Sequence, residues 1–409
     1  MKVLDRATIT NLPEVKSQRP APSSWKKFLL FGAEFVVCAL AVVIVLESLL
    51  AFAGLGEEEN LRMEPVSGWV PMEGKRFTHR GEGFSRGWYN SLGMPDVERS
   101  LKKAPGVFRI ALVGDSFTEG FSVHPPFRFG NLLETRLNST FPGRNFEVLN
   151  FGVPAYNLAQ KYIRLKTFAL NFEPDLVIMQ CRPNETLWLG PEVSGWTSAK
   201  PNFSLGFDGQ LLEDRTQQAR WNQSADGRRM RDTFWLRRNS HIWGVFAQQM
   251  ATVAAWQRKA KRFLKKLRQG EIFTHPAATA VAADSTKGSP QYEDAVKHLS
   301  KLCKVLVVES KKVSEQRGAK FAVLYFPAMG DNGNNLERAL LEKNSRETGI
   351  NYLDLTSAFE AYPLERQKKL YCGFHFSNEG NQVAADKIFD YLTSKGLLEA
   401  NNRDEKGTK

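Results

Sequence analysis

The 409-residue chain is 42% hydrophobic and suits a sizeable buried core; beyond an apolar N-terminal stretch about 350 residues remain, enough for one large or two small domains. Its formal net charge of +12, from 56 basic and 44 acidic side chains, is concentrated in one segment rather than spread. The sequence has no internal repeat, no phosphate-binding glycine-rich loop and no metal-ligand spacing of histidines or cysteines, which excludes a repeat protein and implies no metal and no cofactor.

Residues 1–27 form a polar tract with Pro13, Pro20 and Pro22 and read as a flexible cytoplasmic tail. Residues 28–54, Phe28 to Gly54, are predominantly apolar and exceed the roughly 20 residues that span a bilayer, so they read as a single transmembrane anchor. Glu34 and Glu47 leave twelve uncharged residues between them, and each is expected near an interface or against a protein partner. Trp25-Lys26-Lys27 before the stretch and Glu57-Glu58-Glu59 after it predict a cytoplasmic N-terminus with the remainder periplasmic or extracellular. A cleaved signal peptide is the alternative, since Ala51-Phe52-Ala53 ends the stretch with small residues; the long leader favours an uncleaved anchor.

A connector over residues 55–105 leads into residues 106–190, where apolar strands alternate with helices. The run Arg109-Ile110-Ala111-Leu112-Val113-Gly114-Asp115-Ser116 sets one serine where a strand stops and a helix begins. A serine there can attack, with outward backbone N–H groups to hold an oxyanion; the same pattern is also an ordinary helix N-cap. Two more strand ends follow, Asn150-Phe151-Gly152-Val153-Pro154-Ala155-Tyr156 after Glu147 to Leu149, and Arg182-Pro183-Asn184-Glu185 after Asp175 to Gln180.

Residues 191–290 interrupt the alternation, and the 135 residues between Asn184 and Lys320 exceed what a connection needs. Arg215 to Arg268 hold most of the excess charge, with Trp221, Trp235, Trp243 and Trp256 interleaved, and much of Asp232 to Leu267 reads as helix. This basic helical insert points to acidic glycan, anionic lipid headgroups or an envelope protein partner through residues 215–269; an exported chain rarely meets nucleic acid, and none is expected. A solvated amphipathic helix with inward tryptophans is the plainer alternative. A low-complexity linker, Pro276 to Ser285, closes the insert.

Residues 291–396 resume the alternation with a helix Tyr292 to Arg317, a strand Lys320 to Phe326, a helix near Asn335 to Glu347, a strand Asn351 to Leu355 and a helix Gln382 to Leu392. Residues 397–409 read as a disordered tail. Strands alternating with helices predict an α/β fold, a parallel sheet covered on both faces, with sites beyond the carboxyl ends of the strands. His375, one of only six histidines, lies in Cys372-Gly373-Phe374-His375-Phe376 just ahead of the last helix. A neutral imidazole there can take a serine proton and return it to a leaving group.

The four stations Ser116, Gly152, Asn184 and His375, in that order, resemble the SGNH (GDSL-type) hydrolase family across roughly residues 90 to 185 and 318 to 395. The resemblance implies a flavodoxin-like three-layer sandwich with a parallel sheet. It implies Ser116 as nucleophile, His375 as base, and the Ser116 and Gly152 N–H groups with the Asn184 amide as oxyanion donors, Asp115 in support. Tyr89-Asn90-Ser91-Leu92-Gly93-Met94 resembles a lead-in of the family's membrane-anchored, envelope-associated members.

The chain departs from the family pattern at Arg182, where a glycine is usual, at Glu185, and at Cys372, three residues before the histidine, where an acid normally fixes the tautomer. Three readings are open: a Ser116–His375 dyad oriented by a backbone carbonyl, an acid from elsewhere such as Asp354, or a weakened enzyme. The dyad is preferred, because Asp354 reads as a strand-end structural residue. Cys181 and Cys372 either approach as a disulfide or stay separate thiols. The expected function is a membrane-anchored serine esterase or O-acyltransferase acting on ester-linked acyl groups, such as acetyl, of a cell-envelope glycan or lipid. The alternative is a catalytically silent binding or assembly module in exopolysaccharide export or modification.

Overall fold

The computed structural model describes residues 24–183, 185–190, 196–268, 290–329 and 336–399, and the chain divides into two compact units, Met1–Leu49 and Leu50–Lys409. Most of the expected tail, the linker Pro276 to Ser285, residues 400–409 and Asn184 lie outside the described residues. The N-terminal helix runs from Ser24 to Ala53, and its Lys27–Ala53 segment is long and apolar enough to cross a membrane.

The second unit is built on five parallel strands. Numbered along the chain these are Val107–Val113, Asn145–Asn150, Leu176–Cys181, Lys320–Tyr325 and Asn351–Asp354, and their spatial order is 2-1-3-4-5. This is the flavodoxin-like order of a doubly wound sheet. Buried on both faces, the three central strands read as near-continuous apolar runs. Alternation along them fills two cores: Ala111, Val113, Val177 and Met179 face one, Ile110, Leu112, Leu176 and Ile178 the other.

Helices Leu158–Thr167 and Pro290–Gln316 cover the first face, and Phe129–Thr140 and Asn378–Ser394 the second. Two of these helix starts are specified locally. Asn157 and Gln160 form a reciprocal capping box, and the Ser377 hydroxyl accepts from Gly380 N–H at 3.2 Å ahead of the last helix.

The connector is more than a spacer: it holds two antiparallel hairpins, Leu61–Glu64 with Gly68–Pro71 and Arg76–His79 with Ser85–Trp88. The insert contains a further hairpin, Asn202–Leu205 with Leu211–Asp214. Much of Asp232 to Leu267 is helical as expected, in two helices, Phe234–Asn239 and His241–Arg268, because extended Ser240 ends the first and its hydroxyl accepts from Trp243 N–H at 3.0 Å to start the second. Its tryptophans are not uniformly inward: Trp221 is buried, while Trp235 and Trp256 are exposed. The expected tail also begins too early, since Leu397 and Leu398 are buried in the second core and Arg144 holds the Leu398 carbonyl. Cys181 and Cys372 are both free, so the structure holds no disulfide between them.

Candidate active site

Val107–Val113 delivers Ser116 to the carboxyl edge of the sheet, as the first residue of a one-turn helix, Ser116–Glu119. Asp115 caps that turn: its Oδ1 accepts from Phe117 N–H at 3.0 Å. Ser116 Oγ lies 2.7 Å from His375 Nε2, across 259 positions of sequence. The imidazole is fixed by rings, with Phe121 edge-on at 4.4 Å and Phe117 at 4.6 Å between centroids.

The other ring nitrogen corrects the preferred dyad. His375 Nδ1 lies 2.8 Å from Glu82 Oε2, so a carboxylate and not a backbone carbonyl orients the ring. The same oxygen accepts from Phe374 N–H at 2.8 Å. Glu82 sits in the turn between Arg76–His79 and Ser85–Trp88, inside the connector. Gly373 makes room for it: its φ is +67°, and a Cβ there would meet Glu82 Cγ at 2.8 Å.

Cys372 is not the acid's replacement. Its Sγ donates to the Phe376 carbonyl at 3.4 Å, while its backbone pairs with His375 in a short hairpin. Asp354, the other named acid, is held by Arg338 and accepts from Thr356 N–H at 2.8 Å, a structural role as expected.

Charges in the site are ordered. Burial lowers the His375 pKa below the usual histidine value, and Glu82 offsets part of that fall, so the imidazole is neutral near pH 7 and able to accept a proton. Burial opposes ionisation of Glu82, but its hydrogen bonds to His375 and Phe374 outweigh it and hold the carboxyl below its usual range.

Beneath the nucleophile lies a buried quartet. Asp115 Oδ2 accepts from Arg182 Nε at 2.7 Å and lies 3.4 Å from Lys161 Nζ, which also binds Glu185 and the Gln180 carbonyl. Burial alone disfavours the Asp115 charge; Lys161 and Arg182 overcome it and hold its pKa at about 2. Arg182, whose guanidinium also stacks on Trp188 at 3.8 Å, thus balances Asp115, and Glu185 is committed to Lys161.

The expected oxyanion donors fare unequally. Ser116 N–H opens the helical turn. Gly152 N–H, by contrast, donates to Asn150 Oδ1 at 2.9 Å, which corrects its expected role as a free donor. Gly152 is required for another reason: a Cβ would meet the Glu119 amide nitrogen at 2.2 Å, so only glycine lets this loop lie against the serine turn. Asn184 lies outside the described residues. The Tyr89 lead-in also reaches this turn, its hydroxyl donating to buried Glu119. Among the described residues no group of three His, Cys, Asp or Glu side chains is arranged to hold a metal.

Two arginines flank the Glu82 turn and hold it to the end of the N-terminal helix. Arg80 donates to the carbonyls of Ala53 and Gly54 at 2.9 and 3.3 Å, and Arg86 to those of Ala51 and Phe52 at 2.9 and 3.5 Å.

No family model and no curated protein matches the chain. Solved structures similar to it include LAE5, an alpha/beta hydrolase from the metagenome of Lake Arreo, Spain, at 15% identity over 72% of this chain and 97% of that one, with a TM-score of 0.35. Another is the acetyl xylan esterase AlAXEase, at 12% identity over 70% and 100%, TM-score 0.35. A third, from Desulfitobacterium hafniense DCB-2, is described as a lipolytic protein of the G-D-S-L family, at 13% identity over 69% and 99%, TM-score 0.35. Likenesses this distant decide nothing about chemistry, which rests on the distances above.

Proposed function

We propose that the chain is a membrane-anchored serine esterase or O-acyltransferase of the SGNH type, acting on ester-linked acyl groups, such as acetyl, of a cell-envelope glycan or lipid. One observation carries the reading: Ser116 Oγ, His375 and Glu82 form a continuous relay with contacts of 2.7 and 2.8 Å. Ser116 attacks the ester carbonyl as its proton passes to His375 Nε2. Glu82 stabilises the imidazolium, which then protonates the leaving alcohol, and water or an acceptor hydroxyl releases the acyl group by the reverse sequence. The Ser116 N–H at the opening of the helical turn supports the oxyanion, with the Asn184 amide as the second donor.

The helix Lys27–Ala53 supports a single anchor, with the N-terminus cytoplasmic and the catalytic unit outside. The silent-module alternative drew on Cys372 and Arg182; with Glu82 on the imidazole and Arg182 on Asp115, neither favours it.

The test is fluorophosphonate labelling of the full-length chain in detergent, with hydrolysis of a small aryl acetate and Ser116→Ala and His375→Ala as controls. Labelling of the wild type that vanishes in both variants is expected. A folded wild type that neither labels nor hydrolyses the ester overturns the proposal.

A further inference from the structure

The insert ends in the 28-residue helix His241–Arg268. Its first turn is fixed against the connector. A Cβ on Gly244 would meet the Gly56 carbonyl oxygen at 2.2 Å, so the two backbones touch there. Just upstream, Lys75 Nζ donates to the carbonyls of Arg237 and Arg238, each at 3.0 Å, and Arg237 Nε donates to Glu59 at 2.6 Å. Gly56 is only three residues beyond Ala53, the last residue of the apolar N-terminal helix. The helix therefore starts where a membrane span ends.

Past that turn it loses its packing. Phe246, Met250, Val253 and Trp256 are 53%, 52%, 47% and 70% exposed, and their spacing of four, three and three sets them along one side of the helix. The helix has no Asp or Glu and carries seven Lys or Arg, all from position 258 onward. Seven positive charges without a negative one repel a second copy of the same helix and match an anionic surface. An aromatic-rich apolar face on a basic helix of low overall hydrophobicity is the pattern of a helix lying in a bilayer interface.

We propose that His241–Arg268 is an interfacial arm, whose Phe246–Trp256 face enters the headgroup region of an anionic bilayer beside the end of the N-terminal span. The arm rests on the reading of Lys27–Ala53 as a span and not on the serine chemistry.

The test is nitroxide labelling of the full-length chain, reconstituted into phosphatidylcholine vesicles with and without phosphatidylglycerol. Cys372→Ser is present throughout, and oxygen and nickel-chelate accessibility are read at three positions: native Cys38 in the span, Val253→Cys on the apolar face and Gln248→Cys on the opposite face, the last two with Cys38→Ser. The expected result is preferential oxygen access at Cys38 and 253 and nickel access at 248 in anionic vesicles. Adding Lys261→Glu and Arg262→Glu should weaken partition of the arm at least about tenfold.

Equal nickel access at 253 and 248 with a lipid-exposed Cys38 overturns the arm alone. Nickel access at Cys38 as well overturns the span and the arm together. Spin–spin broadening at 253 between two copies assigns the face to a second chain and also overturns the proposal.

Discussion

Glu82 Oε2 lies 2.8 Å from His375 Nδ1, although the two residues are 293 positions apart. The contact fixes the tautomer of the imidazole and raises its pKa against the larger lowering by burial. Glu82→Gln keeps the shape but removes the charge that stabilises the imidazolium, and kcat is expected to fall by about a hundredfold to ten-thousandfold. Because Glu82 raises the His375 pKa while burial lowers it, the variant's acid limb in kcat/KM should move to still lower pH. A pH–rate profile with an unchanged limb and unchanged kcat would sink the role of Glu82.

Cys372→Asp is expected to bring no gain. The Nδ1 position is already occupied, and Cys372 Sγ is turned toward the Phe376 carbonyl. A new carboxylate beside Glu82 adds like charge instead. Ester hydrolysis by the variant should be equal to or below wild type.

Lys161→Met leaves Asp115 and Glu185 buried with Arg182 alone to balance them. Removing one partner from such a network costs about 3–5 kcal/mol. Denaturant unfolding of the full chain should show this as a lowered midpoint with little change in slope.

Glu119 gives stability a pH dependence of opposite sign to an ordinary salt bridge. Burial raises its pKa from 4.5 to about 7 in the folded chain, so the native state binds the proton more tightly than the unfolded one. Its stabilising contribution is complete below pH 4.5 and is lost as pH rises toward 7, a change of roughly 3 kcal/mol. Glu119→Gln should keep the acceptor for Tyr89 and gain stability relative to wild type between pH 5 and 8, read as the difference in urea midpoints.

Ser116 and His375 were legible because each sits at a local transition, a strand running into a capped helix and a loop running into one, and the alternation of strands and helices carried the sheet with them. Glu82 was not. The run Arg80-Gly81-Glu82-Gly83-Phe84 signals a turn between two short strands, but nothing local says that the turn packs on residues 374 and 375. The two side chains meet only through tertiary packing, and the family habit of an acid three residues before the histidine drew attention to Cys372. Gly152 was legible as a strand-end station with an N–H expected to face an oxyanion; its closeness to the Glu119 backbone, which requires a glycine there, is invisible in sequence. The break at Ser240 was hidden because helical periodicity continues on both sides of it.

The carbonyls of residues 51–54 that hold Arg80 and Arg86 belong to the last turn of a helix and the residue after it, where carbonyls lack the partners of an unbroken helix. The shoulders of the Glu82 turn are therefore moored at the point where the chain leaves its apolar segment. On the proposed reading of Lys27–Ala53 as an anchor, a protease cutting between Phe52 and Gly54 would release the catalytic unit and, in the same stroke, loosen the turn that orients His375. Shedding and switching off would be one event.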